Sequence, residues 1–464
     1  MRRMLPLLLL PALLWSGCGE PVPGDSATNQ SGLNQLVRAG LDDTYAYDLL
    51  GDLCTTVGPR LAGSPGYERA VVWAQEAMRR AGCDSVWVEP VTVPHWTRGR
   101  EWGRVLGPVP FDLDLCALGL SDGTGDGEVE AEILAVRDFD ELERRADEAA
   151  GKIVLFNPPW EGYGKTVRYR VGGASAAARH GAVACLICSV TDRSLGAPHT
   201  GMMRYADDAP RIPIAAVTVE NADRLFRMAG RGMNPRVRLH LEAANHEDVT
   251  NFNVIGEIRG SEAPEEIILV AGHLDSWDVG TGASDDGTGV TLALAAARLQ
   301  LQQDRRPRRT IRVVFYACEE MGGFGGRAYL EAHRQELDRH VLVMESDGGG
   351  FAPRGFSVQA DSTVVARVAE LAAPLARIAP DHWSVGPGGS GVDVGPLAAA
   401  GVPGIGHHVD GSGYFALHHS RADTYDKVDP DEMARNTAAI AGLIYSVDHL
   451  PERLLPPRAA GGNP

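Results

Sequence analysis

Lysine is almost missing from this chain of 464 residues. It stands only at Lys152, Lys165 and Lys427, and arginine supplies the rest of the 44 basic side chains. Against them stand 61 Asp plus Glu, for a formal charge of −17. An excess of positive charge is thus absent, and with it the usual means of displacing counterions from nucleic acid or docking on anionic lipid. The scarcity of lysine itself reads as the codon bias of a GC-rich genome. Long apolar runs are also scarce: outside the first seventeen residues none has the length of a membrane span. There is no internal repeat. With 44% apolar, 23% charged and only 6% aromatic residues, the composition is that of a globular protein. It excludes a disordered chain, a collagen-like repeat and a disulfide-dense mini-protein. The length suffices for two or three domains with full cores.

Cysteine is present at seven positions, Cys18, Cys54, Cys83, Cys116, Cys185, Cys188 and Cys318. Cys185 and Cys188 have zinc-knuckle spacing but no second pair and no His nearby, and they lie in an apolar run, Ala182 to Ile187, that reads as a buried strand. Disulfides are permitted in an exported protein, and their pairing is left open. Export is indicated by the N-terminus. Arg2 and Arg3 precede an apolar core, Leu5 to Leu14, too short to span a bilayer. Ser16-Gly17-Cys18 then resembles a bacterial lipobox, although Trp15 occupies the place where Leu is usual. The reading is a signal peptide over 1–17, with Cys18 as a lipid-carrying mature N-terminus; the alternative is plain secretion.

Residues 18–32, rich in Gly, Pro, Ser and Asn, read as a flexible linker. Helical patterning follows to residue 82, with Ser64 as an N-cap, Pro65 in the first helical position and Gly82 as the stop. Alternating valines predict a strand over 84–94. Short apolar strands at 151–156, 182–187 and 212–217, with a helix before 181 and another near Glu220, suggest a separate strand-helix-strand unit over about 120–245. From 251 onward strands (265–271, 309–317, 340–344, 404–408) alternate with helices (289–301, 326–332, 362–378, 430–448). That alternation predicts an α/β fold: a mixed, mainly parallel sheet with helices on both faces. The domain scheme is then one α/β layer at 33–119 and 246–452, interrupted at 120–245, with a tail at 453–464.

In such sheets functional groups collect past the carboxyl ends of strands. Here those positions carry Gly272-His273-Leu274-Asp275-Ser276-Trp277-Asp278, then Gly282-Ala283-Ser284-Asp285-Asp286-Gly287, Glu319-Glu320, Met344-Glu345-Ser346-Asp347, and later His418-His419-Ser420. Singly, each has a bland explanation as a loop or surface group. Jointly, carboxylates converging there repel one another unless cations offset them. Two His and three carboxylates suit two Zn²⁺ ions bridged by one carboxylate.

These motifs resemble the carboxypeptidase Q family, within the larger group of two-zinc exopeptidases. The resemblance runs over essentially all of 35–450 and includes Thr56-Val57-Gly58-Pro59-Arg60-Leu61, Glu89-Pro90-Val91, Pro94-His95-Trp96 and Pro198-His199-Thr200-Gly201. It implies a zinc exopeptidase fold whose 120–245 unit is similar to a protease-associated domain. It further implies two Zn²⁺ per chain, with His273 and Asp347 on one, Glu320 and His419 on the other, Asp285 bridging and Glu319 as general base. Asp275 then fits a partner of His273. His418 fits an oxyanion or substrate contact and is a rival to His419 as ligand, and Asp393, in the Gly386–Asp393 loop, a residue lining the cleft. The implied activity is hydrolysis of dipeptides or short peptides with free termini, with a homodimer as a further expectation. Three rivals remain: an aminopeptidase acting on longer peptides, a non-catalytic binding protein on the same scaffold, and a single-zinc acyl-transfer enzyme.

Overall fold

In a computed structural model, residues 23–455 are described, with side chains from Asn29 onward. The signal peptide, Cys18 and the last nine residues of the tail lie outside the described residues. No helix among the described residues is long and apolar enough to cross a membrane.

Four parallel strands form the centre of an eight-stranded sheet: Arg309–Tyr316, Ala263–His273, His340–Glu345 and Gly404–Val409, in that spatial order. Their side chains alternate between two apolar layers. Ile268, Val270, Val313 and Met344 face one core, and Ile267, Leu269, Ala271, Val314 and Val343 the other. The helices Tyr45–Thr56, Thr288–Leu301 and Pro430–Asp448 cover the first face, and Phe324–Ala332 and Gly395–Ala399 the second. Ser85–Thr97 and Ala244–Ile258 extend the sheet antiparallel on one side. On the other, Pro353–Gln359 pairs antiparallel with Gly404–Val409 and carries Ser384–Pro387 at the edge. The α/β architecture expected from the sequence is therefore present. Because the central strands are parallel, His273, Tyr316 and Glu345 end at one edge of the sheet.

A second eight-stranded sheet takes the chain from Glu101 to Leu241. It starts upstream of residue 120 because Glu101–Gly107 pairs antiparallel with the returning strand Arg236–Leu241. Those entry strands are short and mixed in polarity, so no alternation marks them in the sequence. Within this sheet Cys185 and Cys188 sit on one strand and pack into different apolar clusters. All six described cysteines are free thiols.

Local signals read from the sequence appear as expected at the helix Pro65–Ala81. The Ser64 hydroxyl accepts from Tyr67 N–H at 3.2 Å, and Gly82 closes the helix at φ +97°. Asp429 caps the last helix by accepting from Asp431 N–H at 2.8 Å. Two expectations are corrected. The helix foreseen over 362–378 breaks after Ala372 and continues as a tighter turn, Ala373–Ile378, since Pro374 cannot donate within a helix. The stretch 23–32, read as part of a linker, begins a helix, Pro23–Leu41, that lies on the last helix. Its glycines serve close approach: a Cβ on Gly32 would fall 2.1 Å from Tyr445 Oη, and one on Gly40 would fall 2.8 Å from Ala438 Cα.

Gly40→Leu should therefore force these two helices apart and cost about 1–3 kcal/mol, the usual range for overpacking. A thermal melt should show a lowered Tm, while Leu41→Ala, at an exposed neighbour, leaves it nearly unchanged. An unchanged Tm for Gly40→Leu contradicts the packing.

Candidate active site

The strand ends bring two histidines and several carboxylates to one point. His273, fully buried, has its Nε2 3.2 Å from Asp285 Oδ1 and 3.6 Å from Asp347 Oδ1. His419 Nε2 lies 2.8 Å from Glu320 Oε2 and 3.3 Å from Asp285 Oδ2. Asp285 thus sits between the histidines with one oxygen toward each. Ligand atoms about 2.0–2.1 Å from a tetrahedral ion are roughly 3.3 Å from one another, close to the separations here. Asp285 Oδ2, Glu320 Oε1 and Asp347 Oδ1 are buried without a hydrogen-bond donor, which suits cations rather than hydrogen bonds. His273, Asp285 and Asp347 can reach a common ion, and so can Asp285, His418 and His419. His418 stacks on His419 with ring centroids 3.5 Å apart, and its Nε2 is 3.7 Å from Asp285 Oδ2. The 2.8 Å contact makes Glu320 the nearer partner of His419.

Backbone N–H groups held by further carboxylates fix these ligands. Asp286, joined to Asp285 by a cis peptide, accepts from His273 N–H at 3.1 Å and Gly289 N–H at 2.8 Å. Asp275 accepts from Glu319 N–H at 3.0 Å and Glu320 N–H at 3.3 Å. The acceptor nearest His273 Nδ1 is accordingly the Asp275 carbonyl, at 3.0 Å, with the carboxylate at 3.6 Å. Asp423 accepts from Ser284 N–H at 2.7 Å and Asp285 N–H at 3.1 Å. Arg60, fully buried, donates to Leu274 O and Thr281 O at 2.6 Å and to Gly282 O at 2.8 Å, locking the loop between His273 and Asp285. Asp393 is fully buried, and its Oδ1 accepts from Gly326 N–H at 3.2 Å. Glu319 is half-buried beside them. Asp286, Asp423 and Arg60 all stand in motifs visible in the sequence, but only folding shows which N–H or carbonyl each one holds.

The electrostatics follow from burial. Burial, the Asp347 and Glu320 charges push the Glu319 carboxyl well above the usual range. Burial and Asp285 raise Glu320 to about 7, and burial raises Asp423 to about 6. For His419 burial opposes the charged ring, yet Glu320 and Asp285 outweigh it and hold the imidazole at about 10. Without cations the site therefore retains protons at neutral pH.

The chain as a whole is similar to known peptidases. Residues 253–444 match the model of peptidase family M28. The chain is 42% identical over 422 residues to carboxypeptidase Q of Mus musculus, covering 90% of this chain and 89% of that one. The crystal structure of a peptidase M28 precursor from Shewanella amazonensis superposes with a TM-score of 0.89 at 36% identity, over 93% of this chain and 99% of the other. A zinc aminopeptidase from Bacillus subtilis shares the fold, with a TM-score of 0.65 at 22% identity over 86% and 94% of the two chains.

Loading the metal-free protein with zinc should release about two or more protons per chain at pH 7, because ligands bind deprotonated and His273, His419 and part of Glu320 hold protons there. The number should rise at pH 6 and fall by pH 8. Calorimetry in buffers of different ionisation enthalpy reads this directly, and zinc uptake without proton release contradicts the charge distribution.

Proposed function

The chain belongs to peptidase family M28 and to its carboxypeptidase Q branch, and on that premise we propose that this metallopeptidase is an exported two-zinc exopeptidase acting on dipeptides or short peptides with free termini. The observation that carries the reading is Asp285, whose two oxygens face His273 and His419 with no hydrogen-bond donor to spare on the second. In this proposal His273 and Asp347 hold one zinc, Glu320 and His419 the other, and Asp285 bridges. His418 contacts substrate or the developing oxyanion. The unit over about 101–241 is protease-associated-like and flanks the cleft. The lipobox-like Ser16-Gly17-Cys18 supports attachment through Cys18, by acyl chains rather than by charge.

Zinc held there supplies Lewis acidity and lowers the pKa of water toward about 7. Glu319, whose carboxyl is held above the usual range by burial and the Asp347 and Glu320 charges and so favours taking up a proton, takes the proton of the attacking water and delivers it to the departing amine. Asp275 keeps Glu319 and Glu320 in register through their N–H groups, so one carboxylate serves as ligand while its neighbour moves the proton.

Glu319→Gln should lower kcat by about 10²–10⁴-fold while zinc content stays unchanged; substantial remaining turnover contradicts the base assignment. With the unaltered enzyme, N-acetylation and C-amidation of a dipeptide should each suppress cleavage. Suppression by N-acetylation alone, with longer peptides cleaved well, replaces this reading with the aminopeptidase one.

A further inference from the structure

The second sheet's unit touches His418 and His419 through two elements, the segment Pro198–Gly201 and the helix Tyr163–Arg179. His199 Nδ1–H donates to His418 O at 2.7 Å, and Thr200 N–H donates to His419 O at 2.9 Å. Thr200 O in turn accepts from His419 Nδ1–H at 3.3 Å, which leaves Nε2 free to face Glu320 and Asp285. His199 and Thr200 are buried, and Thr200 is itself anchored. Its hydroxyl donates to Ala117 O at 2.8 Å and accepts from Arg98 Nη2 at 3.3 Å. Arg98 also grips both carboxylate oxygens of Asp278, at 2.6 and 2.8 Å, in the loop that follows His273.

Arg170, from the helix Tyr163–Arg179 of the same unit, completes the contact. Its Nη1 lies 3.4 Å from Thr200 O and 3.3 Å from His419 Nδ1, and its Nη2 donates to Tyr163 Oη at 2.8 Å. Arg170 is 5% exposed, and its guanidinium has no carboxylate partner among the described residues and leaves Nε without an acceptor. Gly201, at φ +134°, makes room for it, since a Cβ there would stand 2.3 Å from Nη1.

His419 needs such bracing. It sits at φ +59°, a left-handed conformation that is unfavourable for a residue with a Cβ and persists only where the surroundings over-determine it. His273 is held differently, by Asp275 and Asp286 at the end of its own strand. The two candidate metal positions thus differ in what supports them: one rests on the peptidase sheet alone, the other also on the second unit.

We propose that His199, Thr200 and Arg170 are positioning residues through which the second unit sets the His419 ring, making the Glu320–His419 metal position, and not the His273–Asp347 position, dependent on that unit. This rests on the two-zinc reading above.

The test is zinc titration of the metal-free full-length chain against a competing chelator. The unaltered protein should bind two equivalents. His199→Leu removes the donor to His418 O and should weaken the second equivalent by about 10–100-fold, as loss of an orienting partner does, with the first within about twofold. Saturating zinc should then restore most of kcat, and His199→Asn, which returns an N–H near the place of Nδ1, should restore the second affinity. Arg170→Gln, which keeps the His199 and Thr200 bonds, should act in the same direction and serves if His199→Leu does not fold. Equal weakening of both equivalents, or two unaltered affinities, overturns the proposal. An unaltered protein that binds fewer than two equivalents overturns the two-zinc reading itself, whatever the variants do.

Discussion

The structure depends on a concentration of negative charge in a place with little water. Asp275, Asp285, Asp286, Glu320, Glu345, Asp393 and Asp423 are all buried at one edge of the central sheet. Carboxylates so placed are tolerated only when something positive or hydrogen-bonded answers each oxygen. The chain divides that work. Asp275, Asp286, Asp423 and Glu345 accept backbone N–H groups. Asp285, Glu320 and Asp347 keep oxygens that no donor reaches, and Glu345 Oε1 and Asp393 Oδ2 are likewise without a donor. The first set builds the loops, and the second is left facing the two imidazoles. A zinc peptidase needs this division, since ligands must be rigid before the ion arrives and unsatisfied until it does.

Rigidity comes from elements far apart in sequence. Arg60 reaches three carbonyls of the 274–282 loop, and Asp423 holds the turn that presents Asp285. The second unit adds the brace behind His419 and a wall of rings, where Tyr163 stacks on Phe415 at 5.0 Å and meets His418 edge-on at 5.2 Å. The second unit is thereby bound to the His418–His419 segment of the candidate site, which lies well past the end of the strand Gly404–Val409.

Much of this was legible beforehand for a simple reason. His273, Glu319, Glu320 and Asp347 each follow an apolar run that had to be a buried strand, so parallel pairing alone brings them to one edge. Ser64, Gly82 and Asp429 announced helix ends because their chemistry acts on neighbours in sequence. What could not be read was long-range. Arg170 and His199 meet the histidine pair across more than two hundred residues; Arg170 carries no local pattern that marks it, and the motif around His199 does not say which group it holds. Gly32 misled, since glycine serves close packing as readily as flexibility, and only the position of Tyr445 decides between them. Asp393 was placed at the cleft by its glycine-rich loop, whereas its carboxylate is turned inward to Gly326 N–H.

The central claim is that this carboxylate cluster exists to hold two ions on either side of Asp285. Diffraction from zinc-loaded crystals, recorded at the zinc absorption edge, tests it most directly. The account predicts two anomalous peaks roughly 3.5–4 Å apart, one beside His273 and Asp347 and one beside Glu320 and His419, with Asp285 between them. One peak in fully loaded, active crystals, or peaks that Asp285 does not touch, contradicts it.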